Sequence, residues 1–327
     1  MLVVSRTEVR DLLDLDGLRV AVGAAMAEVS SGSVSMPTRT AAFVAERDAM
    51  LAVMPAYLPG AGVLASKLVS LFPLNAGTGL PTHQAVIVVF DAASGRPEAL
   101  VDGTEITAAR TAAGSALAID LLAAPTVRVL AILGTGVQAA AHAVAVTRVR
   151  PFERVMIAGR TPEHSDRLVA ELSALPTMPV AAAATVEEAC GGADVVCATT
   201  HSAEPVVHRA ALRDAAIVTS VGYNTQGREV DADTVADAFL VVESRAAALA
   251  PAPSGSNDLR VPLAEGRITA EHIHEVGELV NGSVTIPPPG TRLVLYKSVG
   301  IAAQDLAAVQ LVLEAARATG RGTTINL

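Results

Sequence analysis

Between Val127 and Val146 the chain reads VRVLAILGTGVQAAAHAVAV: an aliphatic run, two glycines one residue apart, then small apolar residues at helical spacing. The same rhythm of strand, loop and helix returns in RVMIAGR, ADVVCATT, AIVTSVG and AFLVVES. Five such strands, separated by helical segments, predict a doubly wound parallel sheet of the Rossmann type. Upstream the pattern differs. After a short N-terminal strand, SRTEVRDLLDLDGLRVAVGAAMAEVSSG predicts two helices, with Ser5 or Thr7 as N-cap and Glu8 in the first turn. AGVLASKLVSLFP and HQAVIVVFDAASGRPEALVDG alternate and break at Ser94-Gly95 as antiparallel strands do. EITAARTAAGSALAIDLLA returns to helical spacing. Further on, the Pro-, Gly- and Ser-rich AAALAPAPSGSNDLRVPLAEG is expected to be a long surface loop. RLVLYKSVGIAAQDLAAVQLVLEAARATG then predicts one more strand and a long amphipathic helix. The Rossmann-type unit lies between segments that resemble neither of its halves, so this last helix is expected to pack back onto the first domain.

At 327 residues the chain is long enough for two domains, each burying its own core. Hydrophobic residues make up 51% and aromatics only 2%, so that core must be built from Ala, Val, Leu and Ile, an α/β composition. The net charge of −9 has no basic stretch to offset it, which argues against nucleic acid or an anionic membrane surface as partner. Cys190 and Cys197 read as small buried thiols, with neither a disulfide framework nor a metal site expected. The segment MLVVSRTEVRDLL lacks the basic-then-apolar pattern of a secretory leader, and no run approaches the roughly 18 apolar residues that a membrane span needs. A cytoplasmic protein is expected.

The glycine loop carries the first chemistry. Gly134-x-Gly136-x-x-Ala139 sits where a strand ends and a helix begins. There Gly134 permits a tight turn, Gly136 lets backbone approach a pyrophosphate, and Ala139 keeps helix and strand close. The alternative is a tight βα turn with no ligand. The following strand, RVMIAG, ends in Gly159-Arg160-Thr161 with no carboxylate for a ribose 2′-hydroxyl. An arginine and a hydroxyl suit a 2′-phosphate, which favours NADPH over NADH; otherwise Arg160 is a solvated loop charge.

Three cations stand where solvated residues are not expected. Arg39 follows SMPT, Lys67 interrupts the apolar strand GVLASKLVSLF, and Arg110 lies within a helix of small residues. A buried charge is tolerated only when paired, and no nearby acidic run supplies partners. Either these residues form internal salt bridges or reach water, or they clamp a substrate carboxylate.

The blocks MPTR, SKLVSLFP, LPTHQAVIVVFDAASGRPEALVDGTEITAARTAAGSA, LGTGVQA, SVGYNTQGREVD and YKSVGIAAQDLAA follow one another across nearly the whole chain. Together they resemble the ornithine cyclodeaminase/mu-crystallin family. The resemblance implies a homodimer and an NAD(P)-binding Rossmann domain, residues 121–301, inserted into a discontinuous α+β substrate and dimerisation domain, residues 1–120 with 302–327. It also implies a cleft between the two, with Arg39, Lys67 and Arg110 gripping a carboxylate. Thr82, Thr111, Val137, Gln138, Thr200, Val221 and Ser298 match positions that line the cofactor.

Departures from the family pattern narrow the activity. Where cyclodeaminases carry a glutamate for the distal amine, this chain has Ala52; where they carry a catalytic aspartate, it has Asn224, whose amide cannot take a proton as a carboxylate does. PTHQA, VDGTEITAARTAA and GRT look most like the mu-crystallin branch, whose members reduce cyclic ketimines with NADPH, and His83 belongs to that pattern. The expected reaction is reduction of 1-pyrroline-2-carboxylate or 1-piperideine-2-carboxylate to proline or pipecolate. Alternatives are an amino-acid or opine-type dehydrogenase resembling alanine dehydrogenase, then ornithine cyclodeamination, or a non-catalytic protein that binds NADPH or a ligand.

Overall fold

In the computed structural model, residues 1–175, 179–224 and 226–326 are described. They fall into two units, Met1–Arg110 with Ile301–Leu327, and Thr111–Gly300.

Within the first unit, Ser5 caps helix α1 (Arg6–Leu12) and closes a reciprocal box with Glu8, whose carboxylate accepts the Ser5 backbone N–H at 2.9 Å. Helix α2 (Leu15–Ser31) follows, opened by the Asp14 side chain and stopped by Gly32 in the left-handed conformation. A seven-stranded sheet is built among the described residues from β1 (Leu2–Val4), β2 (Thr40–Val44), β3 (Ala49–Leu58), β4 (Val63–Leu71), β5 (His83–Phe90), β6 (Pro97–Asp102) and the short Thr323–Thr324. From β2 to β6 neighbouring strands run antiparallel in chain order, while β1 joins β6 in parallel. Period-two alternation decides the faces. Ala52, Met54, Ala56, Ala65, Lys67, Val69, Ala85, Ile87 and Val89 turn to the buried side, against which the C-terminal helix Ala302–Thr319 packs. The opposite side carries Val53, Leu68, Val86, Val88 and Leu100, all exposed or half-buried.

Helix α3 (Gly103–Leu122) leads from the first unit into the second. The second unit has an eight-stranded parallel sheet among the described residues. Its strands are β7 (Val129–Leu133), β8 (Arg154–Ala158), β9 (Val180–Ala182), β10 (Val195–Ala198), β11 (Ile217–Ser220), β12 (Phe239–Val242), β13 (Ile273–Glu275) and β14 (Val294–Lys297), in the order β13-β12-β14-β11-β10-β7-β8-β9. The chain enters at β7, winds outward through β8 and β9, then returns to β10 on the other side, placing the topological switch between β7 and β10. Helices α4 (Val137–Thr147) and α5 (Pro162–Ser173) follow β7 and β8. Strands β7, β8, β10 and β11 are almost wholly buried, as strands covered on both faces are.

Several expectations change. The division between the units falls at residues 110/111 and 300/301 instead of 120/121 and 301/302, because only the first part of α3 groups with the antiparallel sheet. The segment expected to be a surface loop, residues 246–266, takes in most of helix Arg245–Ala248 and all of helix Asn257–Ala264, and it buries Asp258 and Leu259. Ser256 caps the second of these, and Asp258 is held inside by an ion pair; Pro251, Pro253 and Gly255 fall between the two helices, while Pro262 lies within the second. Strands β2 and β3 are not singled out by composition, since Pro55 sits inside β3. No helix of the described residues is long and apolar enough to cross a membrane. Both cysteines are free and buried, and burial pushes each thiol up to about 12.

Candidate active site

The cation cluster belongs entirely to the first unit. In the register of β4, Lys67 lies between Met54 of β3 and Ile87 of β5, so alternation sends its side chain into the buried face, where it is 2% exposed. Its Nζ is 2.7 Å from Oδ2 of Asp305 on the C-terminal helix and 3.5 Å from Oγ1 of Thr107 on α3. One turn beyond Thr107, Arg110 donates from Nε to Asp305 Oδ1 and from Nη1 to Gln304 Oε1, both at 2.9 Å. A single carboxylate thus joins a cation from a strand to a cation from a helix. Asp305 lies in the first turn of its helix, where the exposed N–H groups also favour a negative charge. His83 opens β5 opposite Leu71 and therefore shares the face of Lys67, as does Ala52 of β3. Arg39, half-buried just before β2, is near enough for its charge to act on the Lys67 ammonium.

Lys67 and Arg110 share the single carboxylate of Asp305, and the protonation states of the cluster follow. Burial, opposed by Asp305 but reinforced by Arg110 and Arg39, lowers Lys67 to about 8. It remains charged at neutral pH. Burial first, then Lys67 and Arg110, lowers His83 to about 4, so its imidazole is neutral there. Burial alone would raise Asp305, but Arg110 and Lys67 outweigh it and hold the carboxyl below its ordinary value. Sequence reasoning missed Asp305. The available signal was a lone acid in IAAQDLAAVQLVL, an otherwise apolar helical face.

In the second unit the glycine loop has the geometry a dinucleotide requires. Gly134 has φ +116°, and a Cβ there would meet Thr199 Oγ1 at 2.7 Å. Above Gly136 a Cβ would meet nothing within 4 Å, leaving open backbone at the start of α4. No side chain caps that helix; Val137 in its first turn is 71% exposed, and the Gln138 Oε1 atom is buried with no hydrogen-bond partner among the described residues. Free helix N–H groups, close backbone and an unused polar atom fit an anionic cofactor. Beneath them, His142 contacts the Gln138 carbonyl through Nδ1 at 2.8 Å, which makes Nδ1 the donor; Ser115 then donates to Nε2 at 2.9 Å. Burial lowers this histidine to about 4.

The other expected cofactor residues lie at strand ends. Exposed Arg160 follows β8, and Thr161 precedes α5 without using its side chain as a cap. Thr200 follows β10, Val221 follows β11 and Ser298 follows β14, at the carboxyl ends of the second half of the sheet. Thr111 is buried in the second unit, whereas Thr82 is exposed in the first. Asn224 uses its side-chain oxygen on the backbone N–H groups of Gln226 at 2.8 Å and Gly227 at 3.1 Å, which shapes its own loop. A cavity of about 650 Å³, lined by residues such as Thr126, Asp194, Arg213 and Ile217, includes none of the candidate residues.

Sequence reading also missed a buried polar network under these loops. Glu229 Oε1 accepts the Thr200 N–H at 2.6 Å and its hydroxyl at 2.7 Å; Oε2 accepts the Ser220 hydroxyl at 2.6 Å and the Gly222 N–H at 2.8 Å. Lys297 pairs with Asp258 at 2.9 Å and donates to Ser220 Oγ and the Gly222 carbonyl. Asp258 is held low because Lys297 and its hydrogen bonds overcome the burial that opposes its charge. Glu243 accepts from the Ser298 hydroxyl and from the N–H groups of Val299 at 3.1 Å and Gly300 at 3.2 Å.

Comparison with known proteins places the chain. Ketimine reductase mu-crystallin of Mus musculus is 35% identical over 316 residues, covering 95% of this chain and 96% of its own. The structure of Thermococcus litoralis Delta(1)-pyrroline-2-carboxylate reductase with NADH and L-proline has a TM-score of 0.95 at 33% identity, covering 99% of this chain and all of that one. An archaeal alanine dehydrogenase dimer with bound NAD has a TM-score of 0.91 at 26% identity, covering all of this chain and 99% of that one. The model of the ornithine cyclodeaminase/mu-crystallin family matches residues 1–320, and the chain belongs to that family.

Proposed function

We propose that this protein reduces a cyclic ketimine carboxylate, such as 1-pyrroline-2-carboxylate or 1-piperideine-2-carboxylate, to the cyclic amino acid, with NADPH as reductant. The observation that carries the reading is the joining of Lys67 and Arg110 on Asp305, with Arg39 adding a third positive charge. This cluster attracts a carboxylate and contains no group suited to take a proton at neutral pH. Asp305 is occupied by two cations, His83 is neutral with a low proton affinity, and the Asn224 oxygen is committed to backbone.

A bound reduced nicotinamide supplies a hydride. Arg110 and Lys67 orient the substrate carboxylate, and Asp305 holds both cations in place before the substrate arrives. A protonated C=N would already be electrophilic, so reduction at its carbon would return the π pair to nitrogen, the ring amine would keep the proton it carried, and no side chain of the cluster would need to supply one. Neutral His83 can donate or accept a hydrogen bond on the same sheet face. Ala52 offers no charge for a distal amine, so ornithine is not a substrate in this reading.

Arg160 and the uncapped Thr161 support a 2′-phosphate site. The apolar outward face of the first unit's sheet supports a homodimer. The test is a panel of cyclic imines and open-chain oxo acids with ammonia, each assayed with NADPH and NADH. Oxidation of NADPH by the cyclic imines is expected. Turnover confined to an oxo acid plus ammonia would replace this reading with an amino-acid dehydrogenase. Arg160→Asp should erase a preference for NADPH in equilibrium titration, and a preference of the unmodified protein for NADH would overturn the cofactor assignment.

A further inference from the structure

Glu243 is fully buried, pairs with no cation among the described residues and takes no part in the proposed chemistry. Each of its oxygens already receives a backbone N–H, one from Gly300 and one from Val299. The Ser298 hydroxyl donates to the same carboxylate. A hydroxyl has one proton and two lone pairs, so Ser298 has nothing left to donate and can only accept. Thr200 is in the same condition, because its hydroxyl donates to Glu229.

Both hydroxyls stand at the carboxyl ends of strands in the second half of the doubly wound sheet. In such sheets that half receives the second mononucleotide, the nicotinamide end of a dinucleotide. We propose that Glu243 is a positioning residue which fixes Ser298 as an acceptor, so that the serine selects the NH2 side of the nicotinamide carboxamide and sets which way the ring is turned. The inference rests on the nicotinamide cofactor of the proposed function. A carboxamide has a donor end and an acceptor end, and the wrong rotamer would set its carbonyl against the Ser298 lone pairs.

The experiment compares the affinity of NADPH with that of its 3-acetylpyridine analogue, which keeps the ring carbonyl but replaces NH2 by methyl. Calorimetry is suitable because the chain has no tryptophan. The unmodified protein should bind NADPH about tenfold more tightly than the analogue, the size of one hydrogen bond lost from a buried acceptor. Ser298→Ala should bring the two within about twofold. In Glu243→Gln, three donors face a single remaining acceptor oxygen; the relief is for Ser298 to turn and accept from the new amide, which frees its proton. The preference should fall to about threefold or less. A merely structural loss would weaken both nucleotides together and leave their ratio unchanged. An unmodified protein that does not discriminate would overturn the inference, as would full discrimination in Ser298→Ala, a variant that keeps Glu243 and its backbone contacts. Binding of neither nucleotide would overturn the cofactor reading, and the inference with it.

Discussion

Lys67 sits in the middle of an apolar strand, and its charge survives there because Asp305 offsets part of the cost of burial. Its proton affinity, lowered to about 8, gives the proposed clamp a pH limit. Below that value the ammonium attracts a carboxylate; above it the neutral amine does not. The inhibition constant of pyrrole-2-carboxylate, a planar carboxylate with no basic ring nitrogen, should therefore rise as pH passes about 8, and Lys67→Arg should move that rise beyond the measurable range. An inhibition constant that stays flat to pH 10 would remove Lys67 from the clamp. Arg110→Met keeps the stem and loses the fork; kcat/KM for the imine should fall roughly 30-fold, equivalent to about 2 kcal/mol, with NADPH affinity nearly unchanged. Both cations were legible in the sequence, because a charge inside a strand or a helix of small residues is conspicuous. Their partner was not, since Asp305 is 195 residues from Arg110 and only the fold brings them together.

At the scale of elements, the C-terminal helix does more than cover the sheet. It inserts a carboxylate between β4 and α3. Asp305→Asn keeps the shape and removes the charge, leaving two buried cations without their counter-ion. Stability in urea should drop by about 3 kcal/mol, and pyrrole-2-carboxylate should restore more stability to this variant than to the unmodified protein. An equal ligand effect in both would show that the bound carboxylate does not reach these cations. The long parallel strands were legible because each is an aliphatic run closed by a turn. Strands β9 and β13, three residues each, carry too little pattern to register. The helix Asn257–Ala264 was hidden by the prolines and glycines before it and by Pro262 within it, although Ser256 followed by an acid was a capping signal.

For the whole molecule, the outward side of the first sheet presents Val53, Leu68, Val86, Val88 and Leu100. An apolar sheet face of this kind calls for a partner, and a second copy of the chain is the one proposed here. Light scattering should give twice the chain mass of 33.3 kDa, and Val86→Glu should shift it toward the monomer. A monomeric unmodified protein would remove the homodimer. The sequence held the alternation of these strands, but not which side would be left bare, because that depends on where the last helix returns.

The three-way contact of Lys67, Arg110 and Asp305 also governs the order in which this protein can change. Removing the acid first strands two cations, and removing a cation first leaves the acid leaning on one. Loss of all three in concert, with apolar replacements, spares the fold that charge imbalance. Single-substitution scans will therefore rate each position as intolerant even where the trio as a whole is replaceable. Under the proposed role of the trio, a lineage losing its taste for carboxylates would have to cross a valley of poorly folded intermediates, a barrier that would hold the substrate class in place independently of selection on catalysis.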